Sequence, residues 1–177
     1  MGQLMNSIYQ ALYEEDYDYG VARTIERKGP FYLPYTGFVE DWEPLVLRLT
    51  EGESCDYLSS NLGCRLCSGK LKNIFEDGAA STDKLQWLPV EVQSDAESLT
   101  YWILHFPDPP DVLDLEKSIL AGDFVVKPVF AREKLYDHAV FSYPEAGELT
   151  FFVSEPVKCT IENASCTGLE LSPAPVV

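Results

Sequence analysis

No run in the chain approaches the roughly 20 consecutive apolar residues that a membrane-spanning helix needs. Histidine is scarce: His105 and His138 are the two candidates for any imidazole-based nucleophile–base pair. There is no Gly-x-Ser-x-Gly elbow, Gly-x-Gly-x-x-Gly turn, Walker A loop, His-Glu-x-x-His pair or EF-hand loop, so no enzyme or calcium class announced by those motifs is indicated. Positive charge is short as well. Lys and Arg total 13 against 29 Asp and Glu, a formal net charge of −16. That balance argues against non-specific nucleic-acid binding, which needs cations to neutralise phosphates, and against docking on anionic lipid. It favours a basic partner and also serves solubility.

What is present is enough apolar surface to fold. Apolar residues make up 46% and aromatics 12% of the chain, too much for a disordered acidic tail. A length of 177 residues fits one compact domain over 1–177, with two lobes of about 1–93 and 94–177 as its natural subdivision. Met1 to Tyr19 has neither a basic nor an apolar signal region, so a cytoplasmic location is expected. The five cysteines (Cys55, Cys64, Cys67, Cys159, Cys166) are an odd number, expected as reduced thiols. Cys64-Arg65-Leu66-Cys67 would need a second ligand pair to hold zinc. Cys159 and Cys166 stand seven apart and the histidines belong to no close pair, so buried thiols are expected, with no metal and no cofactor.

The first 60 residues are rich in turns and aromatics, with a short strand signal at Leu45, Leu47 and Leu49. Ser68 reads as an N-cap, Leu71, Ile74 and Phe75 as one helix face, and Gly78 as the stop. Strands are expected over 85–92, 100–106, 124–130 and 149–153. The class is therefore α+β, with mixed and antiparallel sheets and short helices. Residues 66–78 align with 152–164, pairing Ser68 with Ser154, Lys72 with Lys158 and Glu76 with Glu162. Leu85–Pro89 then faces Leu169–Pro173, a pattern that reads as an internal duplication of a strand–helix–strand unit.

Among the polar residues, His105 lies in the apolar run Tyr101–Phe106 and is expected as a hydrogen-bonded core histidine; His138 reads as a loop or strand-edge residue. Asp114, in Asp111-Val112-Leu113-Asp114-Leu115-Glu116-Lys117-Ser118, is expected to cap a turn rather than to act in catalysis. Two stretches mix carboxylates with aromatic rings, the composition of a surface that steers and then anchors a basic partner: Glu14, Glu15, Asp16, Tyr17 and Asp18 in one, Glu40, Asp41, Trp42 and Glu43 in the other.

From Leu85 onward the sequence resembles the predicted immunity proteins, family eleven, of bacterial polymorphic-toxin systems. The resemblance rests on Leu85-Gln86-Trp87-Leu88-Pro89-Val90, on Val112–Ser118, on Phe151-Phe152-Val153-Ser154-Glu155 and on Thr167-Gly168-Leu169-Glu170-Leu171, in the family's order. It implies a small cytoplasmic, non-enzymatic protein that protects its producer by binding a cognate toxin. A basic, nuclease-like toxin would suit the charge. An enzyme that reverses toxin damage and an adaptor of a secretion system are the alternative classes.

Overall fold

A computed structural model describes residues 7–15, 18–25, 31–147 and 149–177. Its strands are β1 (Ile8–Tyr13), β2 (Val21–Thr24), β3 (Leu45–Thr50), β4 (Tyr57–Ser60), β5 (Leu66–Ser68), β6 (Gln86–Gln93), β7 (Ser98–His105), β8 (Ile119–Ala121), β9 (Phe124–Lys127), β10 (Val140–Phe141), β11 (Phe152–Ser154) and β12 (Leu169–Pro173). Helix α1 (Gly69–Gly78) joins β5 to β6, and α2 (Glu155–Asn163) joins β11 to β12. Among the described residues no helix is long and apolar enough to cross a membrane.

Six strands close into a barrel in the order β2-β3-β6-β7-β5-β4. Its longest pairing is the β6–β7 hairpin, in register from Gln86↔His105 to Gln93↔Ser98. The four-residue turn is held by Ser94, whose hydroxyl accepts from the N–H groups of Ala96 and Glu97. Along β6 the side chains alternate, so Leu88, Val90 and Val92 point inward while their neighbours stay half-buried. With Ala22, Leu47, Leu58, Leu66 and Ile103 they fill the barrel, leaving a packed core rather than a channel. The β3–β6 and β2–β4 pairs are parallel and the other pairs antiparallel, so the sheets are mixed.

The second sheet is antiparallel, in the order β10-β11-β1-β12. One of its two inner strands, β1, comes from the turn-rich N-terminal region, while the barrel takes β7 from the second half of the chain. β8 and β9 form a separate hairpin. The strand expected over 124–130 stops at Lys127, because Phe130 instead forms isolated bridges to Leu113 and Val176. The strand expected from residue 149 starts at Phe152.

The two repeated segments share a neighbour relation. β7 lies between β5 and β6 and is antiparallel to both, just as β1 lies between β11 and β12. Ser68 and Ser154 both end a strand and occupy the N-cap. Only the Ser68 hydroxyl accepts a helix N–H, from Leu71 at 3.2 Å; the Ser154 side chain makes no such bond. The likeness is one of local architecture. Leu71 and Phe75 from α1 and Val157 and Ile161 from α2 are buried with Phe151, and Ile74 is half-buried against them. The helices meet closely at Gly78, where a Cβ would stand 2.8 Å from Cγ2 of Val157.

Candidate functional site

The structure puts Asp18, from the first acidic–aromatic stretch, and the Glu40–Glu43 stretch at opposite ends of β3. Glu43 stands just before that strand. Beyond its other end Tyr19 bridges Glu53, and the Glu53 N–H donates to the Asp18 carbonyl at 2.8 Å. Six residues of strand, about 20 Å, separate them. Glu14 and Glu15 are exposed, yet Glu14 is also a tie: its carboxylate accepts from Gly168 N–H at 3.2 Å and its own N–H donates to the Gly168 carbonyl at 3.1 Å. Asp16 and Tyr17 lie outside the described residues.

The second stretch belongs to a strap, residues 31–44, that has no regular secondary structure and is nevertheless fixed at three points. The Gly37 N–H donates to the Pro107 carbonyl at 2.6 Å, while the Gly37 carbonyl accepts from Nε2 of His105 at 2.8 Å. Gln86 clamps Val39, accepting from its N–H and donating to its carbonyl, both at 2.8 Å. Nε1 of Trp42 donates to the Pro89 carbonyl at 2.9 Å, and its ring meets Phe31 edge-on. Phe31, Leu33, Val39 and Trp42 therefore face the barrel. Trp42 is half-buried and braces the strap, while Glu40, Asp41 and Glu43 are exposed around it.

The outward side of the strap carries three aromatic rings missed by the sequence reading. Tyr32, Tyr35 and Phe38 are 76%, 65% and 64% exposed. Exposed rings on a tied backbone would lose little freedom on meeting a partner. Their signal was in the sequence as Phe31-Tyr32-Leu33-Pro34-Tyr35-Thr36-Gly37-Phe38, aromatic-rich and punctuated, with no strand or helix period to bury it.

His105 is a buried, hydrogen-bonded core residue, as its apolar run predicts. Burial pushes its imidazole below the ordinary histidine range, the Gly37 bond opposes that, and Arg65 adds to it. His138 pairs through Nδ1 with Asp83 at 2.9 Å, and Asp83 also accepts from the N–H groups of Ala139 and Val140. Asp114 holds the expected turn, accepting from Lys117 N–H at 3.1 Å. The cysteines form no disulfide. Cys64 and Cys67 are buried, and burial pushes the Cys67 thiol far up, which disfavours the thiolate. Among the described residues no three His, Cys, Asp or Glu side chains converge as metal ligands.

Compared with known proteins, residues 37–175 match the model described as Immunity protein family (Imm11), most of the chain. The match starts at Gly37, inside the strap, and so reaches well beyond the C-terminal half. No curated protein matches the chain.

Proposed function

The chain belongs to the Imm11 family of immunity proteins, and from that premise we propose that it protects its producer by binding a cognate toxin domain and inhibiting it stoichiometrically, without turnover of its own. The observation that carries the surface assignment is the strap: Tyr32, Tyr35 and Phe38 exposed on a backbone fixed through Gly37, Val39 and Trp42, with Glu40, Asp41 and Glu43 beside them. Aromatic rings supply most of the affinity once a partner desolvates them. Carboxylates around them, backed by a net charge of −16, speed encounter with a basic, nuclease-like toxin. The carboxylates of Glu14, Glu15 and Asp18 belong to the same long-range field, but Asp18 lies at the far end of β3, so this stretch is a secondary contact.

The proposed place of action is the cytoplasm of the producing cell. The test uses the toxin domain encoded beside this protein. Its association rate should fall steeply as salt rises, and Tyr35→Ala and Phe38→Ala should raise the dissociation rate. Unchanged kinetics in both variants would move the interface elsewhere on the molecule.

A further inference from the structure

Among the described residues the β8–β9 hairpin pairs with no other strand, yet its base is fixed. The Ser118 hydroxyl donates to the Asp114 carbonyl at 2.7 Å and accepts from the Val129 N–H at 2.9 Å. The Asp114 N–H donates to the Val129 carbonyl at 2.8 Å. Gly122, at φ +64°, makes the turn at the tip, where a Cβ would meet nothing within 4 Å. Opposed residues point to the same side of a sheet, so the register sorts the side chains. Leu120 stands opposite Val125, and Val125 packs against the core around Phe130. Ala121 stands opposite Phe124 on the other side, which Ile119 shares by alternation along β8. Phe124, Val126 and Ile119 are 73%, 64% and 56% exposed, Ala121 is exposed with them, and Leu115 is exposed in the turn before β8. An antiparallel sheet that keeps one face in water ordinarily turns polar residues to that side. This outer face is apolar but for Lys127, opposite Ile119 at its margin, and reads as a surface that is covered.

The charge around the face selects the occupant. From 118 to 128 the charged residues are Asp123 and Lys127, one of each sign. At the base of the hairpin Lys117 pairs with Asp114 at 3.3 Å and Lys134 with Asp111 at 3.1 Å. Over 111–134 five Asp and Glu stand against four Lys and Arg, a net of −1, so the other 153 residues carry −15. The strap is the opposite case: residues 31–44 hold Glu40, Asp41 and Glu43 and no Lys or Arg. Two copies of this chain repel each other strap to strap, but meet at the hairpin with little like-charge cost. A basic partner gains no attraction there.

We propose that the outer face of the β8–β9 hairpin is a self-association surface, covered by the same face of a second copy about a two-fold axis. The proposal does not depend on the immunity reading. Leu115, Ile119, Ala121, Phe124 and Val126 together present on the order of 500 Å² per copy, so pairing buries about 1,000 Å², the lower limit for a specific interface. That size gives a reversible dimer of micromolar strength, held by apolar contact between pre-formed hairpins. No strap residue takes part, so self-association and toxin binding draw on different side chains.

Sedimentation equilibrium of the full chain without toxin, from about 1 to about 500 μM, tests the proposal. Wild type should pass reversibly from monomer to dimer. Its dissociation constant should fall several-fold between about 50 and about 500 mM NaCl, as salt screens the repulsion between two chains of charge −16. Phe124→Glu and Val126→Glu should each weaken the dimer at least tenfold, and Phe38→Glu on the strap should leave it unchanged. Wild type that stays monomeric throughout overturns the proposal. So does a dimer that both hairpin variants retain or that Phe38→Glu abolishes. If one hairpin variant fails to fold, the other decides, and the wild-type concentration series stands by itself. Monomeric wild type whose toxin binding is lost in Phe124→Glu overturns the second copy and makes the toxin the occupant.

Discussion

Asp56 accepts hydrogen bonds from both the backbone N–H and the hydroxyl of Thr167, at 2.9 and 3.2 Å, across 111 residues of sequence. The same carboxylate accepts from the Ser68 hydroxyl at 2.7 Å and from the Lys70 ammonium at 3.2 Å. One side chain thus joins the entry to β4, the N-cap of α1 and the turn before β12. Next to Thr167, Gly168 has φ +83°, and a Cβ there would stand 2.5 Å from Sγ of Cys55, so the backbone comes in as close as glycine allows.

Replacing Asp56 with Ala should cost about 2–4 kcal/mol at neutral pH, since several charge-assisted bonds go at once. Burial pushes the Asp56 carboxyl up, but the bonds from Ser68, Thr167 and Lys70 outweigh it and hold it below the usual carboxylate range. The stability it contributes is therefore fully present above about pH 4, the unfolded value. It is lost as pH falls through the lower folded value. Denaturant midpoints of wild type and Asp56→Ala should be far apart at pH 7 and converge toward pH 3; a constant gap contradicts the assignment.

His105 titrates in a different window. Burial holds its imidazole below the ordinary range despite the Gly37 bond. A depressed folded value means that its contribution is present above about pH 6.5 and is lost as pH falls below that. Wild-type stability should drop between pH 7 and pH 5, and the drop should be shallower in His105→Gln. Equal slopes in the two proteins would show that His105 does not couple the strap to pH.

The contact between the helices makes Gly78→Ala informative. Helix propensity alone favours Ala by about 1 kcal/mol. The added Cβ would meet the stiff Val157 side chain at 2.8 Å, so the helices must shift apart. Gly78→Ala should therefore destabilise by about 1–3 kcal/mol, and the double variant with Val157→Ala should be less destabilised than the sum of the two single changes. Additive effects, measured by chemical denaturation, would remove the contact as the cause.

Where one strand pattern recurs locally, the sequence could be read. Leu88, Val90 and Val92 alternate along β6, and the Ser68 cap with Leu71 and Phe75 marks α1 to within a residue. β1 could not be read, because its buried residues are Ile8 and Ala11, three apart, and its partners Ser154 and Pro173 lie at the other end of the chain. The strap is half legible in the sequence. The charge of Glu40, Asp41 and Glu43 marks them as surface residues, and they are exposed. Trp42 stands among these charges in sequence, yet its indole turns inward to Pro89, a contact set by tertiary distance alone. Tyr32, Tyr35 and Phe38 look like core residues by type, and only the observed ties of the strap show that they face out.

That division of roles predicts opposite behaviour within one segment. Tyr32→Ala and Phe38→Ala should leave folding stability within about 0.5 kcal/mol of wild type, as exposed positions do, while weakening toxin binding. Trp42→Ala should destabilise by about 2 kcal/mol or more through lost packing and an orphaned Pro89 carbonyl. Thermal denaturation alongside binding measurements checks both, and a large stability loss in Tyr32→Ala or Phe38→Ala would reassign those rings to the core.

The most direct test of the immunity reading is a titration of the adjacent gene's toxin domain, at fixed concentration well above the dissociation constant, with this protein. Stoichiometric inhibition predicts that toxin activity falls linearly and reaches zero at one equivalent, with no further change on longer incubation. Activity that disappears at a small fraction of an equivalent, and goes on falling with time, would show turnover and contradict the account; activity untouched at several equivalents would contradict it outright.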